Sequence, residues 1–333
     1  MRCGLLVTAA AGVVALAITG CSPSVVPASS STASPAASAS ASRTLEPVPL
    51  TVQKVVAHIG TADPNMQTRF ASGHWLYPDD VNNTIVYDGT VVVHGHPVTV
   101  ALSQNGLHYA YTLGRGLSVY VDGRAVATGT YLPAVFAVSD DGGTVLYSDS
   151  NPAGDAGVIY RNGVPVFRAQ YGIGQAVGSA DAMHYTAVVD GFPLTLVHDG
   201  HTVATSGITG MSTPMISPDG THYGVVSTAQ GDGVSMVDGA SILPSTETGG
   251  PAELTDTGDW AVVAGGNDEP LVDGVVKGPS AYEVVITSDA RSVAIATNAG
   301  VVLVNGTPVD SVSIQTAWLE IDGTTLYIYN TVA

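Results

Sequence analysis

Lysine is almost missing: Lys54 and Lys277 are the only two in 333 residues. Lys and Arg together number 10 against 28 Asp and Glu, a net charge of −18. No basic stripe can be assembled from so few cations, which excludes nucleic acid as a partner. Two lysines also argue against Schiff-base catalysis. Cysteine is equally scarce, with two residues. A disulfide framework and a thiolate zinc cluster are therefore excluded. Charged residues are only 11% of the chain, and scarce Lys and Glu disfavour long helices. What is abundant points the other way. Thirty-nine Gly and 19 Pro punctuate short runs rich in Val and Thr, the composition of strands and tight turns.

The N-terminus reads as an address. A short start with one positive charge, Arg2, precedes an apolar run from Leu5 to Ile18. That run is too short for a membrane-spanning helix, which takes about 20 residues, and fits the core of an export signal. Ile18-Thr19-Gly20-Cys21 follows and resembles the bacterial lipobox. The resemblance implies cleavage before Cys21, lipidation of Cys21, and anchoring on the extracytoplasmic side of the bacterial cell membrane. Residues 1–20 are then a signal peptide. Residues 21–45 are almost all Ser, Ala, Pro, Thr and Val, with too little large apolar surface to offset ordering entropy, and read as a flexible tether. Residues 46–333 are the folded domain.

That domain repeats itself. Ser103-Gln104-Asn105-Gly106, Ser139-Asp140-Asp141-Gly142 and Ser217-Pro218-Asp219-Gly220 share one pattern. Blurred copies follow at Ser179, Thr255, Thr287 and Glu320. A second pattern, Asp or Asn followed by Gly after a short apolar run, falls at 88, 122, 162, 199, 238, 273 and 305. Both series have a mean period of about 36 residues. Asp-Gly and Asn-Gly supply the positive φ of tight hairpins, so each unit is two hairpins, the size of a propeller blade. Pro214-Met215-Ile216-Ser217-Pro218-Asp219-Gly220-Thr221-His222-Tyr223 resembles the repeat of TolB-type β-propellers. The resemblance implies an all-β propeller in which the first turn joins the two inner strands and the second joins the outer pair.

Seven turns of each kind predict seven four-stranded blades, closed by pairing the C-terminal inner hairpin with outer strands near 84–94. Trp318, Leu319, Leu326 and Ile328 are then expected to be buried. An alternative stays open: Phe70-Ala71-Ser72-Gly73-His74-Trp75 as a degraded inner hairpin, with Leu50 to Ile59 as a further strand, makes eight.

Candidate sites are few. Ten of the 28 acidic residues stand in repeat turns, where Asp bonds nearby backbone amides; the acidity is mostly turn chemistry. Asp149, Asn151 and Asp155 resemble the start of a calcium loop, but Ala153 and Tyr160 occupy two ligand positions. His108, His184 and His222 recur at one repeat position and mark the repeat. His94 and His96 form a pair without a third ligand. No nucleophile elbow, zincin motif or phosphate loop appears, so no catalytic residue and no cofactor is assigned. Loops joining the second and third strands of each blade vary, including Asp232 and Asn267-Asp268-Glu269. Variable loops on a rigid scaffold usually carry binding. The expected function is a membrane-tethered binding or scaffold lipoprotein with a protein or envelope-polymer ligand. The alternative is a propeller lyase or hydrolase, which would gather inward carboxylates, His or Arg where the blades converge.

Overall fold

The computed structural model describes residues 46–58, 68–114, 116–151, 153, 156–191, 193–204, 212–227, 234–243, 249–312 and 317–332. The expected signal peptide, Cys21 and the expected tether lie outside these residues, as do Asp155 and Asp232.

Asp-Gly and Asn-Gly turns fold the chain into successive antiparallel sheets. Seven have four strands in chain order, and we number them as blades 1 to 7. Their first strands are Arg69–Ala71, Pro97–Leu102, Ala134–Val138, Ile173–Gly178, Ser212–Ile216, Gly249–Leu254 and Ala281–Ile286. Blade 8 is a three-stranded sheet. Its first two strands are the C-terminal hairpin, Ala317–Asp322 and Thr325–Val332, and its third is the N-terminal strand Thr51–His58. The result is an eight-bladed propeller, with no helix among the described residues.

The count of seven blades is therefore corrected to eight, the alternative weighed from the sequence. Strands Thr84–Tyr87 and Thr90–His94 belong with the hairpin at 69–79, not with the C-terminal one. That hairpin turns on two residues, Ser72 (φ 49°) and Gly73 (φ 86°), and so lacks the longer turn signature of its siblings. The closing strand is invisible to turn counting for a different reason. Thr51–His58 pairs parallel to Thr325–Val332, from Thr51 beside Thr325 to His58 beside Val332, and no hairpin announces a parallel contact.

The core is a ring of interfaces. Eight apolar clusters each span two neighbouring blades; one joins Ala101 and Val119 of blade 2 to Val135 and Tyr147 of blade 3. The last joins Ala57 of the closing strand to Trp75 and Tyr77 of blade 1. Leu319, Leu326 and Ile328 are buried as expected, whereas Trp318 is 46% exposed. It points off the first strand of blade 8 and stacks loosely on Phe70 of blade 1, ring centroids 6.1 Å apart.

Strand alternation gives the ring two unlike faces. Both hairpin turns of every four-stranded blade open on one, the turn face. The loops between second and third strands, and the connectors between blades, open on the other, the loop face.

Candidate functional site

The turn face is a lattice of spent polar groups. Asp88, Asp122, Asp199 and Asp238 each accept a backbone N–H from the second strand of their blade, at 2.9–3.1 Å. The other carboxylate oxygen of each meets a histidine Nδ1, of His74, His108, His184 and His222, at 2.6–2.7 Å. Asn162 and Asn305 accept the corresponding backbone N–H, of Val145 and Val293, and their Nδ2 groups donate to the Gly143 carbonyl and to Ser292 Oγ instead of meeting a histidine. These histidines are structural props. His74 belongs to the same series, which its shortened turn hid in the sequence.

The inner turns are knotted within and across blades. Buried Ser139, Ser179 and Ser217 donate to Asp141, Asp181 and Asp219 two residues on. Neighbouring turns are joined by Asn105 N–H to the Asp140 carboxylate, Ala180 N–H to the Pro218 carbonyl and Asp219 N–H to the Asp256 carboxylate. Ser72 Oγ donates to Asp322 Oδ2, linking blade 1 to blade 8.

The loop face is different. It carries a depression of about 500 Å³, an open groove lined by His96, Leu113, Gly114, Gly116 and Tyr120 of blade 2 and the connector before it. On the same face, loops and connectors of blades 1 to 4 expose Val81, Leu117, Tyr131, Leu132 and Tyr171, as does Val98 at the start of the first strand of blade 2, each at least 41% accessible. His96 Nδ1 stands 3.6 Å from Asp80 Oδ1.

The candidates read from the sequence are placed as follows. Asp149 is buried, 4% exposed, and its carboxylate accepts the N–H groups of Thr130, Tyr131, Leu132 and Ser150. It fastens the connector after blade 2, and this fourfold use leaves it little capacity toward a cation. The Asn151 N–H donates to the Ala156 carbonyl. Asn267, Asp268 and Glu269 stand on the loop face, at the connection between the second and third strands of blade 6. Asp268 has φ 53° and accepts a bond from Asn298 Nδ2 at 2.9 Å, while Glu269 opens the third strand of blade 6. Among the described residues, no group of three His, Cys, Asp or Glu is arranged to hold a metal ion.

Sequence reading missed a set of carboxylates on the first strands of blades 6, 7 and 8. Glu253 Oε2 accepts Ile286 N–H of blade 7 at 2.7 Å. Glu283 Oε2 accepts Leu319 N–H of blade 8 at 2.8 Å. Both oxygens of Glu320 lie 2.8 Å from Ser72 N of blade 1, and Tyr329 Oη donates to it at 2.5 Å. Burial pushes Glu253 up to about 7, helped by the charge of Glu320. Burial likewise pushes Glu283 up to about 8, helped by Glu253. Glu320 is raised by burial as well. Arg69, on the first strand of blade 1, is lowered by burial. The available signal was a lone carboxylate inside an apolar strand run, as in Ala252-Glu253-Leu254.

Together, eight sheets around one axis, closed by a terminal strand, define a β-propeller. No protein-family model matches the sequence, and no curated protein matches it. Among solved structures, it is similar to Kuenenia stuttgartiensis hydrazine synthase at TM-score 0.38 and 12% identity, over 78% of this chain and 76% of that one. It is also similar to the β-propeller domain of Myceliophteria thermophila Cps50 (Swd1), at TM-score 0.40 and 13% identity, over 71% of this chain and 96% of that one. At these values neither neighbour informs the function of this chain.

Proposed function

We propose that the chain is an exported lipoprotein, anchored through Cys21 on the extracytoplasmic side of a bacterial membrane, whose propeller binds a protein partner on its loop face. One observation carries the binding half: the two faces are chemically unlike. The turn face spends its carboxylates on its own turns. The loop face exposes large apolar and aromatic side chains on blades 1 to 4 and carries a groove at blade 2. Apolar surface gathered on one face of a rigid scaffold suits a protein contact. The lipobox resemblance at Ile18–Cys21 supports the anchor.

The test places a photoreactive residue at Leu117 on the loop face or at Val164 on the rim, in cells carrying the full chain. A protein adduct from position 117 alone supports the reading. Retention of an envelope polysaccharide without any protein adduct overturns it. Replacing Cys21 with Ala is expected to release the chain from membranes and abolish fatty-acid labelling; labelling that persists removes the anchor.

A second reading, an enzyme acting on an envelope or extracellular polymer, is favoured by one feature. Glu253, Glu283 and Glu320 stand on the first strands of three successive blades, with pKa values raised by burial. Turnover of a polymer by the purified chain, lost in Glu283→Gln, would establish it over the binding reading.

A further inference from the structure

The three carboxylates stand at three consecutive blade interfaces: 6 to 7, 7 to 8, and 8 to 1. The last two flank the blade that closes the ring. Each reaches from the first strand of one blade to a backbone N–H of the next. A neutral counterpart exists elsewhere: Thr99 Oγ1 of blade 2 accepts Val135 N–H of blade 3 at 2.9 Å. The same kind of bridge is therefore built in two ways, once from a group that cannot ionise near neutrality and three times, around the seam, from groups that can.

We infer that the closing seam is a proton-operated clamp: Glu253, Glu283 and Glu320 hold blades 6, 7, 8 and 1 together in their protonated forms, and ionisation loosens that arc while leaving the rest of the ring intact. The charges acting on the three groups are mostly of their own sign. Glu320 acts on Glu253, Glu253 acts on Glu283, and Asp322 acts on Glu320, with His74 the opposing charge; the backbone N–H bonds to all three, and the Tyr329 hydroxyl on Glu320, also favour the ionised forms, and burial outweighs them. The second strands behind them, Trp260–Ala264 and Val293–Thr297, bring no titratable side chain. Thr325–Val332 brings Tyr327 and Tyr329; His74–Asp79 brings His74, Tyr77 and Asp79. Arg69 and Tyr282 complete the titratable groups of the first strands concerned. No lysine stands on any of these strands.

The direction follows from linkage. An unfolded Glu titrates near 4.5, whereas Glu253 and Glu283 titrate near 7 and 8 in the fold. The folded state holds the protons longer, so stability is lost as pH rises through that interval.

The test is amide hydrogen exchange on the full chain between pH 5.5 and 8.5, corrected for intrinsic base catalysis. Protection of Ile286, Leu319 and Ser72 is expected to fall about tenfold relative to Val135. In a Glu253→Gln/Glu283→Gln variant, the fall at Ile286 and Leu319 should vanish. A constant ratio to Val135 in the unmodified chain overturns the inference. So does a fall at those two amides that survives both substitutions. The unmodified chain decides the matter by itself should the variant fail to fold.

Discussion

A Cβ added to Gly220 would meet Cγ and Cδ2 of His184, in the preceding blade, at 2.5 and 2.6 Å. The same meeting recurs between Gly106 and His74, Gly142 and His108, and Gly258 and His222. Where the preceding blade has Thr144 or Asp259 in place of the histidine, the next turn carries Ala182 or Ala290, both still at positive φ. Glycine in these turns thus answers to the histidine of its neighbour as well as to its own backbone. The blurred copies of the repeat have a physical cause.

Gly220→Ala is accordingly expected to destabilise by about 2–4 kcal/mol, combining a left-handed backbone (φ 76°) with overpacking against His184. Adding His184→Gly, which removes Cβ, the first atom met, together with the ring, should recover part of that loss, giving a coupling in a double-mutant cycle by denaturant unfolding. Ala182→Gly trades a buried methyl for backbone relief and should lie within about 1 kcal/mol of the parent. Additive costs for Gly220 and His184 would disprove the link.

The outer-turn carboxylates have two separable duties. Asp238→Asn keeps the acceptor for Tyr223 N–H, the role that Asn162 and Asn305 play in their own blades, and weakens the His222 contact. It should cost about 1 kcal/mol, and Asp238→Ala about 2–3 kcal/mol. Equal losses in thermal unfolding would show that the backbone bond contributes nothing.

Closure depends on Thr51–His58. Deleting 46–58 strips the parallel partner from Thr325–Val332, removes Ala57 from its contact with Trp75 and Tyr77, and leaves an open edge. The expected product is aggregated or melts far below the parent. Deleting 22–44 should leave the melting temperature unchanged. Lys54 pairs with Asp310 at 2.6 Å but is 58% exposed, so Lys54→Ala should cost less than about 1 kcal/mol.

His198 provides a pH dependence of opposite sign to that of the seam. Burial lowers its pKa below the ordinary value of 6.5. The unfolded chain therefore takes up the proton first, and stability should decline as pH falls below about 6.5, through the lower folded value. His198→Phe keeps the ring stack on Tyr223, centroids 4.5 Å apart, and should flatten this part of the melting profile. An unchanged slope in the variant would assign the decline to other groups.

The repeat period, the two turn types and the all-β class were legible in the sequence because each rests on contacts within some forty residues. Asp-Gly and Asn-Gly force a hairpin locally, and alternating apolar residues mark the strands beside it. The variable loop face followed from strand alternation alone. The eighth blade did not: its closing strand pairs with residues some 270 positions away, and only the assembled ring brings them together. The same limit hid the seam. Glu253, Glu283 and Glu320 are isolated acids in three separate apolar strands, and no spacing rule connects them. Their common role, and their shifted acidities, arise from burial between blades, a property of the interface that no single segment contains.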